Sequence, residues 1–138
     1  MKPELLYSEL EVGRTFEPLT FHLTESLVNG YRTALDVWPR SCEGPECEGR
    51  EMAPAGLWGI WGRQAYLKNY RMPGGGILVG QDMEFCAPVF VDDVLYVQAT
   101  VTEKFENHGR NFITIESMAK IDNERCCGTV RVKAIWPR

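Results

Sequence analysis

Pro54-Ala55-Gly56-Leu57-Trp58-Gly59-Ile60-Trp61-Gly62-Arg63-Gln64-Ala65-Tyr66-Leu67-Lys68-Asn69-Tyr70 is the stretch on which the fold turns. Proline is tolerated in the first turn of a helix, and none follows before Pro73, so the spacing predicts a helix from Pro54 to about Tyr70. In its first half the large residues Leu57, Trp58, Ile60 and Trp61 fall on more than one face, which predicts a central helix surrounded by protein. Gly56, Gly59 and Gly62 recur every three residues, although each interior glycine costs about 1 kcal/mol relative to alanine. That stripe predicts close approach of a sheet, a partner helix or a ligand.

Downstream, Pro73-Gly74-Gly75-Gly76 ends the helical part and leads into a strand over 77–85. No lysine and serine or threonine follow the glycines, as a phosphate-cradling loop would need, so they read as a helix-to-strand joint. After Asp92-Asp93, Leu95, Val97, Ala99 and Val101 alternate with Tyr96, Gln98, Thr100 and Thr102. Asn107-His108-Gly109-Arg110 reads as a turn, and Ile113, Ile115, Ser117, Ala119 and Ile121 then carry the same alternation, so the two segments predict a long antiparallel hairpin. A second turn at Asp122-Asn123-Glu124-Arg125 precedes a last strand whose inward face is Val130, Val132, Ala134 and Trp136.

Upstream, the β-branched and aromatic residues of 12–24, interrupted by Pro18, predict a first strand with an irregular start. Thr24-Glu25-Ser26 caps a short helix with Leu27, Tyr31 and Leu35 on one face, and that helix delivers Asp36 at its end. From there to Glu51 two prolines, two glycines and no apolar period predict a loop.

The chain has 138 residues, 44% hydrophobic and 25% charged, which suits one domain over 1–138 with a single core. Its net charge of −4 (15 − 19) and the lack of a basic run argue against nucleic acid. No apolar run nears the roughly 20 residues that span a bilayer, and Met1-Lys2-Pro3-Glu4 does not begin a signal peptide, so a soluble cytoplasmic protein off the membrane is expected. The cysteines number five, Cys42, Cys47, Cys86, Cys126 and Cys127, and are read as reduced thiols. Cys42, Cys47, Cys126 and Cys127 would suit tetrahedral zinc only if the adjacent pair sat at a strand end or bulge; a loop pair and small buried hydrophobes are the plainer alternative, and no metal is expected.

One strand, a long helix and four antiparallel strands make an α+β layout, that of the hot-dog fold, in which a curved sheet wraps a central helix. From Val12-Gly13-Arg14-Thr15-Phe16 to its last strand the chain resembles the MaoC-like hydratase and dehydratase family of hot-dog proteins. The family's motif has the form Asp-x-Asn-Pro-x-His after a short helix; Asp36 and Pro39 keep their places, while Trp38 stands for the asparagine and Ser41 for the histidine. Glu84-Phe85-Cys86-Ala87-Pro88-Val89-Phe90-Val91-Asp92-Asp93 resembles the family's strand entry.

The resemblance implies an enzyme that adds water to an enoyl thioester or removes it from a 3-hydroxyacyl thioester, with coenzyme A or a carrier protein as part of the substrate and no other cofactor. Asp36 is then the acid/base group, and backbone N–H groups at Ala55 and Gly56 polarise the thioester carbonyl. Trp38, Ser41, Trp58 and Arg63 fall in the implied binding site; Trp58, with Trp38 and Trp61, would line an acyl pocket, and Arg63, with Arg40, Lys68 and Arg71, would meet coenzyme A phosphates. A serine has no basicity near pH 7 without help, so the motif has lost a base. His22 and His108, the two histidines, are far from Asp36 in sequence and read as hydrogen-bonded or solvated. Two alternatives stay open. A histidine-less half of this family can pair with a catalytic half, so the chain could be a degenerate subunit that binds acyl-CoA or supports an active partner. Hot-dog thioesterases place a carboxylate on or beside the central helix, but residues 53–71 contain no Asp or Glu. In every case a homodimer or a heterodimer with another hot-dog chain is expected, because unpaired sheet edges join a neighbour's.

Overall fold

Strict alternation of apolar and polar residues builds one face of a sheet, and the alternating Leu95, Val97, Ala99 and Val101 are all fully buried. The computed structural model describes residues 1–36, 49–122 and 125–138, together with the backbone of 40 and 41. In chain order come β1 (Leu19–His22), α1 (Glu25–Leu35), β2 (Arg40–Ser41), β3 (Glu51–Met52), a 3-10 turn (Ala55–Leu57) that runs into α2 (Trp58–Leu67), β4 (Ile77–Phe85), β5 (Val94–Asn107), β6 (Arg110–Ile121) and β7 (Arg125–Trp136). Five strands pair antiparallel in the order β1-β5-β6-β7-β4. The β5–β6 hairpin closes at Asn107↔Arg110, with His108 and Gly109 at φ 50° and 75°, the positive values that a two-residue turn requires.

The curved sheet wraps α2, which packs on β1, β5, β6 and β7. Its glycine stripe is what lets it come so close. A methyl group on Gly62 would lie 2.9 Å from the Val130 side chain, and one on Gly59 3.1 Å from Nε2 of Gln81. The Ser117 hydroxyl donates to the Gly62 carbonyl at 2.9 Å, which satisfies a buried polar group at the contact. Trp58, Trp61, Ala65 and Tyr66 face the core with Val130, Val132 and Trp136.

Several expectations need correction. The α-helix ends at Leu67 and not near Tyr70, because the following residues bond to the chain's start: Leu5 N–H donates to Arg71 O at 3.0 Å and Arg71 N–H to Pro3 O at 2.9 Å. Nor is the helix enclosed all round in the single chain, since Ile60, Arg63 and Gln64 form an exposed stripe. On α1 the buried residues are Val28 and Arg32, whereas Leu35 is 56% exposed. The first strand shrinks to Leu19–His22, with only an isolated bridge, Thr15↔Thr100, before Pro18. The expected loop after Asp36 carries the small β2–β3 ribbon.

Cys127 is the extra residue of a bulge between Ala119↔Gly128 and Lys120↔Cys126, so the adjacent cysteines do sit at a bulge. Burial pushes the Cys127 thiol up to about 11. The described residues contain no group of three or more His, Cys, Asp or Glu able to hold a metal; Cys42 and Cys47 lie outside them. No helix of the described residues is long and apolar enough to cross a membrane.

Candidate functional site

The end of α1 meets the start of α2 through two adjacent side chains. Arg32 is only 6% exposed; one guanidinium nitrogen pairs with the Glu51 carboxylate and the other donates to Met52 O at 2.6 Å. Tyr31, beside it, reaches Gly56: a methyl group there would coincide with the Tyr31 hydroxyl. Only glycine leaves that space. Removing the acid of a buried ion pair strands a charge away from water. Glu51→Ala is therefore expected to lower stability by about 2–3 kcal/mol, at the low end for such pairs because Glu51 itself is partly exposed. Urea unfolding checks this, and a change below about 0.5 kcal/mol would show that Arg32 needs no partner there.

Asp36 is the C-cap of α1, exposed, at φ 54° and ψ 46°, with its N–H donating to Arg32 O. Glycine or asparagine suits that left-handed geometry best, and a carboxylate at the carbonyl end of a helix opposes the helix dipole by about 0.3–1 kcal/mol. Helix energetics alone does not call for an aspartate here.

Ala55 and Gly56, both exposed, open the helical run after Pro54. The Leu57 N–H is used, donating to Pro54 O at 3.1 Å, and that of Trp58 reaches the Ala55 and Gly56 carbonyls. The N–H groups of Ala55 and Gly56 donate to no described residue, as expected at the first turn of a helix without a side-chain cap.

One turn further on, Gly59 begins a cleft of about 300 Å³ between α2, β4 and β7. Its apolar walls are Tyr66, Leu67, Met72, Ile77, Leu78, Val132, Ala134 and Trp136, and Arg63 and Gln81 are its long polar side chains. Burial raises the Tyr66 phenol above its ordinary range, and the Arg63 guanidinium partly offsets this.

Of the residues picked from sequence, Asp36, Ala55 and Gly56 lie at the α1–α2 junction and Arg63 on the cleft. Trp58 is buried and does not line the cleft; its ring meets Trp61 and Phe85 at centroid distances of 4.8 and 4.6 Å and covers Gly128. Trp38 lies outside the described residues, as does the side chain of Ser41, whose backbone pairs with Glu51. Among the other cations, Lys68 pairs with Glu17 and Arg71 with Glu4, while Arg63 is in no ion pair among the described residues. His22 faces Asp92 at 3.8 Å and His108 sits in the hairpin turn. Sequence reasoning missed Tyr31 and Gln81; the glycine stripe signalled close approach there without naming what approaches.

No protein-family model matches the chain, and no curated protein is significantly similar to it. Solved structures do match. The R-hydratase PhaJ1 from Pseudomonas aeruginosa superposes with a TM-score of 0.73 at 19% identity, covering 98% of this chain and 87% of that one. A MaoC-like dehydratase from Rhodospirillum rubrum gives 0.74 at 17%, covering 97% of both. The HadBC complex, a 3R-hydroxyacyl-ACP dehydratase from Mycobacterium tuberculosis, gives 0.75 at 16%, covering 90% of this chain and 96% of that one. The chain has the hot-dog fold. At these identities the likeness is one of architecture, and what the hot-dog chain does has to be argued from its own residues.

Proposed function

We propose that this chain is a MaoC-like hydro-lyase that adds water to, or removes it from, an acyl thioester of the enoyl and 3-hydroxyacyl type. Asp36 is the acid/base group. The Ala55 and Gly56 amides hold the thioester oxygen, where the aligned dipoles of the helix favour the negative charge of an enolate. The acyl chain runs from there past Gly59 into the cleft toward Tyr66 and Trp136, and Arg63 offers a cation to a phosphate of coenzyme A or of a carrier protein's prosthetic arm. The observation that carries this reading is the pair of exposed, unpartnered amides at the start of a helix whose next turn opens onto an apolar-walled cleft. With serine at position 41, Asp36 is the one ionisable acid/base side chain left in the motif.

A second reading, a catalytically silent half that serves an active partner, is favoured by the same serine and by β4. This strand is a sheet edge, exposed along its length, with Leu78 61% and Val79 50% exposed. Long apolar edges invite pairing with another chain. Two structural neighbours, HadBC and ChsH1-ChsH2, are described as complexes, which fits a hot-dog partner. Thioester hydrolysis ranks behind both, because no carboxylate lies on α2.

The test is to assay enoyl-CoA and 3-hydroxyacyl-CoA thioesters with the purified chain alone and with a co-expressed hot-dog partner. Turnover by the chain alone is expected; turnover only with the partner would replace the first reading by the second. In sedimentation the wild-type chain is expected to be dimeric, and Ile77→Lys with Val79→Lys to be monomeric, since edge lysines block strand pairing. A monomeric wild type would contradict assembly through β4.

A further inference from the structure

We propose that the Tyr31 hydroxyl is a catalytic hydrogen-bond donor, completing with the Ala55 and Gly56 amides the site that holds the thioester oxygen. This inference rests on the hydro-lyase reading and explains how the reaction could proceed without the motif's histidine.

The placement comes from packing. Val28 and Arg32 bury one side of α1, and Tyr31, partly buried on the same core, reaches over to α2. Its hydroxyl lies against the α-carbon of Gly56, in the space that any side chain at 56 would fill. It makes no hydrogen bond with a described residue. Packed tyrosines ordinarily find a partner for the hydroxyl, and phenylalanine would fill the same space without one. A second unpartnered donor lies on the next residue: the Nε–H of Arg32, a side chain 6% exposed whose other two nitrogens are taken. Donors without acceptors therefore gather where two exposed amides also lack partners, and an acceptor oxygen is the complementary ligand.

In dehydration, the Asp36 carboxylate takes the proton from the α carbon, and the C–H electron pair moves into the thioester as an enolate. That charge rests on the oxygen held by the phenol and the two amides. The pair then returns, the β C–O bond breaks, and the departing hydroxyl takes the proton back from Asp36, leaving as water. One carboxyl group thus carries a single proton from carbon to oxygen, while Tyr31 keeps its own proton and only donates. Hydration is the reverse, and nothing is oxidised or reduced.

Tyr31→Phe keeps the ring and removes only the donor. Expected is a fall in kcat of roughly 100-fold or more, the usual effect of deleting one oxyanion donor, with KM and the thermal midpoint little changed. A merely structural role would not touch the second readout. Wild-type protein is expected to red-shift the absorbance of bound 2,4-hexadienoyl-CoA by polarising its carbonyl, and the variant to lose much of that shift. Wild-type turnover with Tyr31→Phe within threefold and an unchanged shift would overturn this proposal alone. No turnover and no shift with the wild type would overturn it together with the hydro-lyase reading.

Discussion

Asp36→Asn is expected to lower kcat by on the order of 1000-fold while leaving the fold untouched, within the range for loss of a general acid/base group. Two features make this substitution clean. The residue is exposed and left-handed, at φ 54°, a geometry asparagine accepts more readily than most side chains. Losing the carboxylate also removes a negative charge from the carbonyl end of α1, so the thermal midpoint should hold or rise slightly. Steady-state rates and thermal unfolding, measured together, decide the matter. Full activity in the variant would remove Asp36 from the chemistry; a joint fall in activity and midpoint would make it a structural cap.

Gly128→Ala is expected to cost the most stability, about 3 kcal/mol, or roughly 10 °C in thermal midpoint for a chain of this size. Gly128 has φ 155°, and a methyl group there would coincide with the Glu84 carbonyl oxygen and with the Trp58 ring. The first obstacle is backbone, in the strand paired at Phe85↔Gly128, so the chain cannot yield by turning a rotamer. Gly62→Ala serves as the comparison, since its methyl would meet only the Val130 side chain at 2.9 Å and should be better tolerated. Displacing Trp58 also shifts the start of α2, so Gly128→Ala should lose activity along with stability. Equal midpoints for the two variants would mean that β4 gives way freely at Glu84.

The sheet was legible because its signal is local and periodic. Leu95 to Val101 and Val130 to Trp136 each alternate with period two, and Asn107-His108-Gly109-Arg110 names its own turn. The end of α2 was not legible. Nothing between Leu67 and Tyr70 breaks a helix, and what stops it is pairing of Arg71 with Pro3 and Leu5, contacts across more than sixty residues. The same holds for the buried Leu5 and Leu10 and for the Trp136 indole donating to Leu5 O at 2.7 Å, since the first eleven residues carry no clear period.

At the site, Asp36, Ala55 and Gly56 were legible through a motif and a helix start. Tyr31 was not, because its spacing with Leu27 and Leu35 looks like an ordinary apolar helix face. In the structure Leu35 turns outward and Tyr31 reaches another helix. Trp58 shows the converse: a large aromatic beside the site reads as pocket lining, yet the bulge at Cys127 and the bare backbone of Gly128 draw it into the core.

Incubation of the purified chain with an enoyl-CoA in water enriched in oxygen-18, followed by mass spectrometry of the products, tests the hydro-lyase directly. The account predicts an intact thioester carrying the heavy oxygen on its β-hydroxyl. Heavy oxygen in a free carboxylic acid with release of coenzyme A, or recovery of unlabelled enoyl-CoA alone, would contradict it.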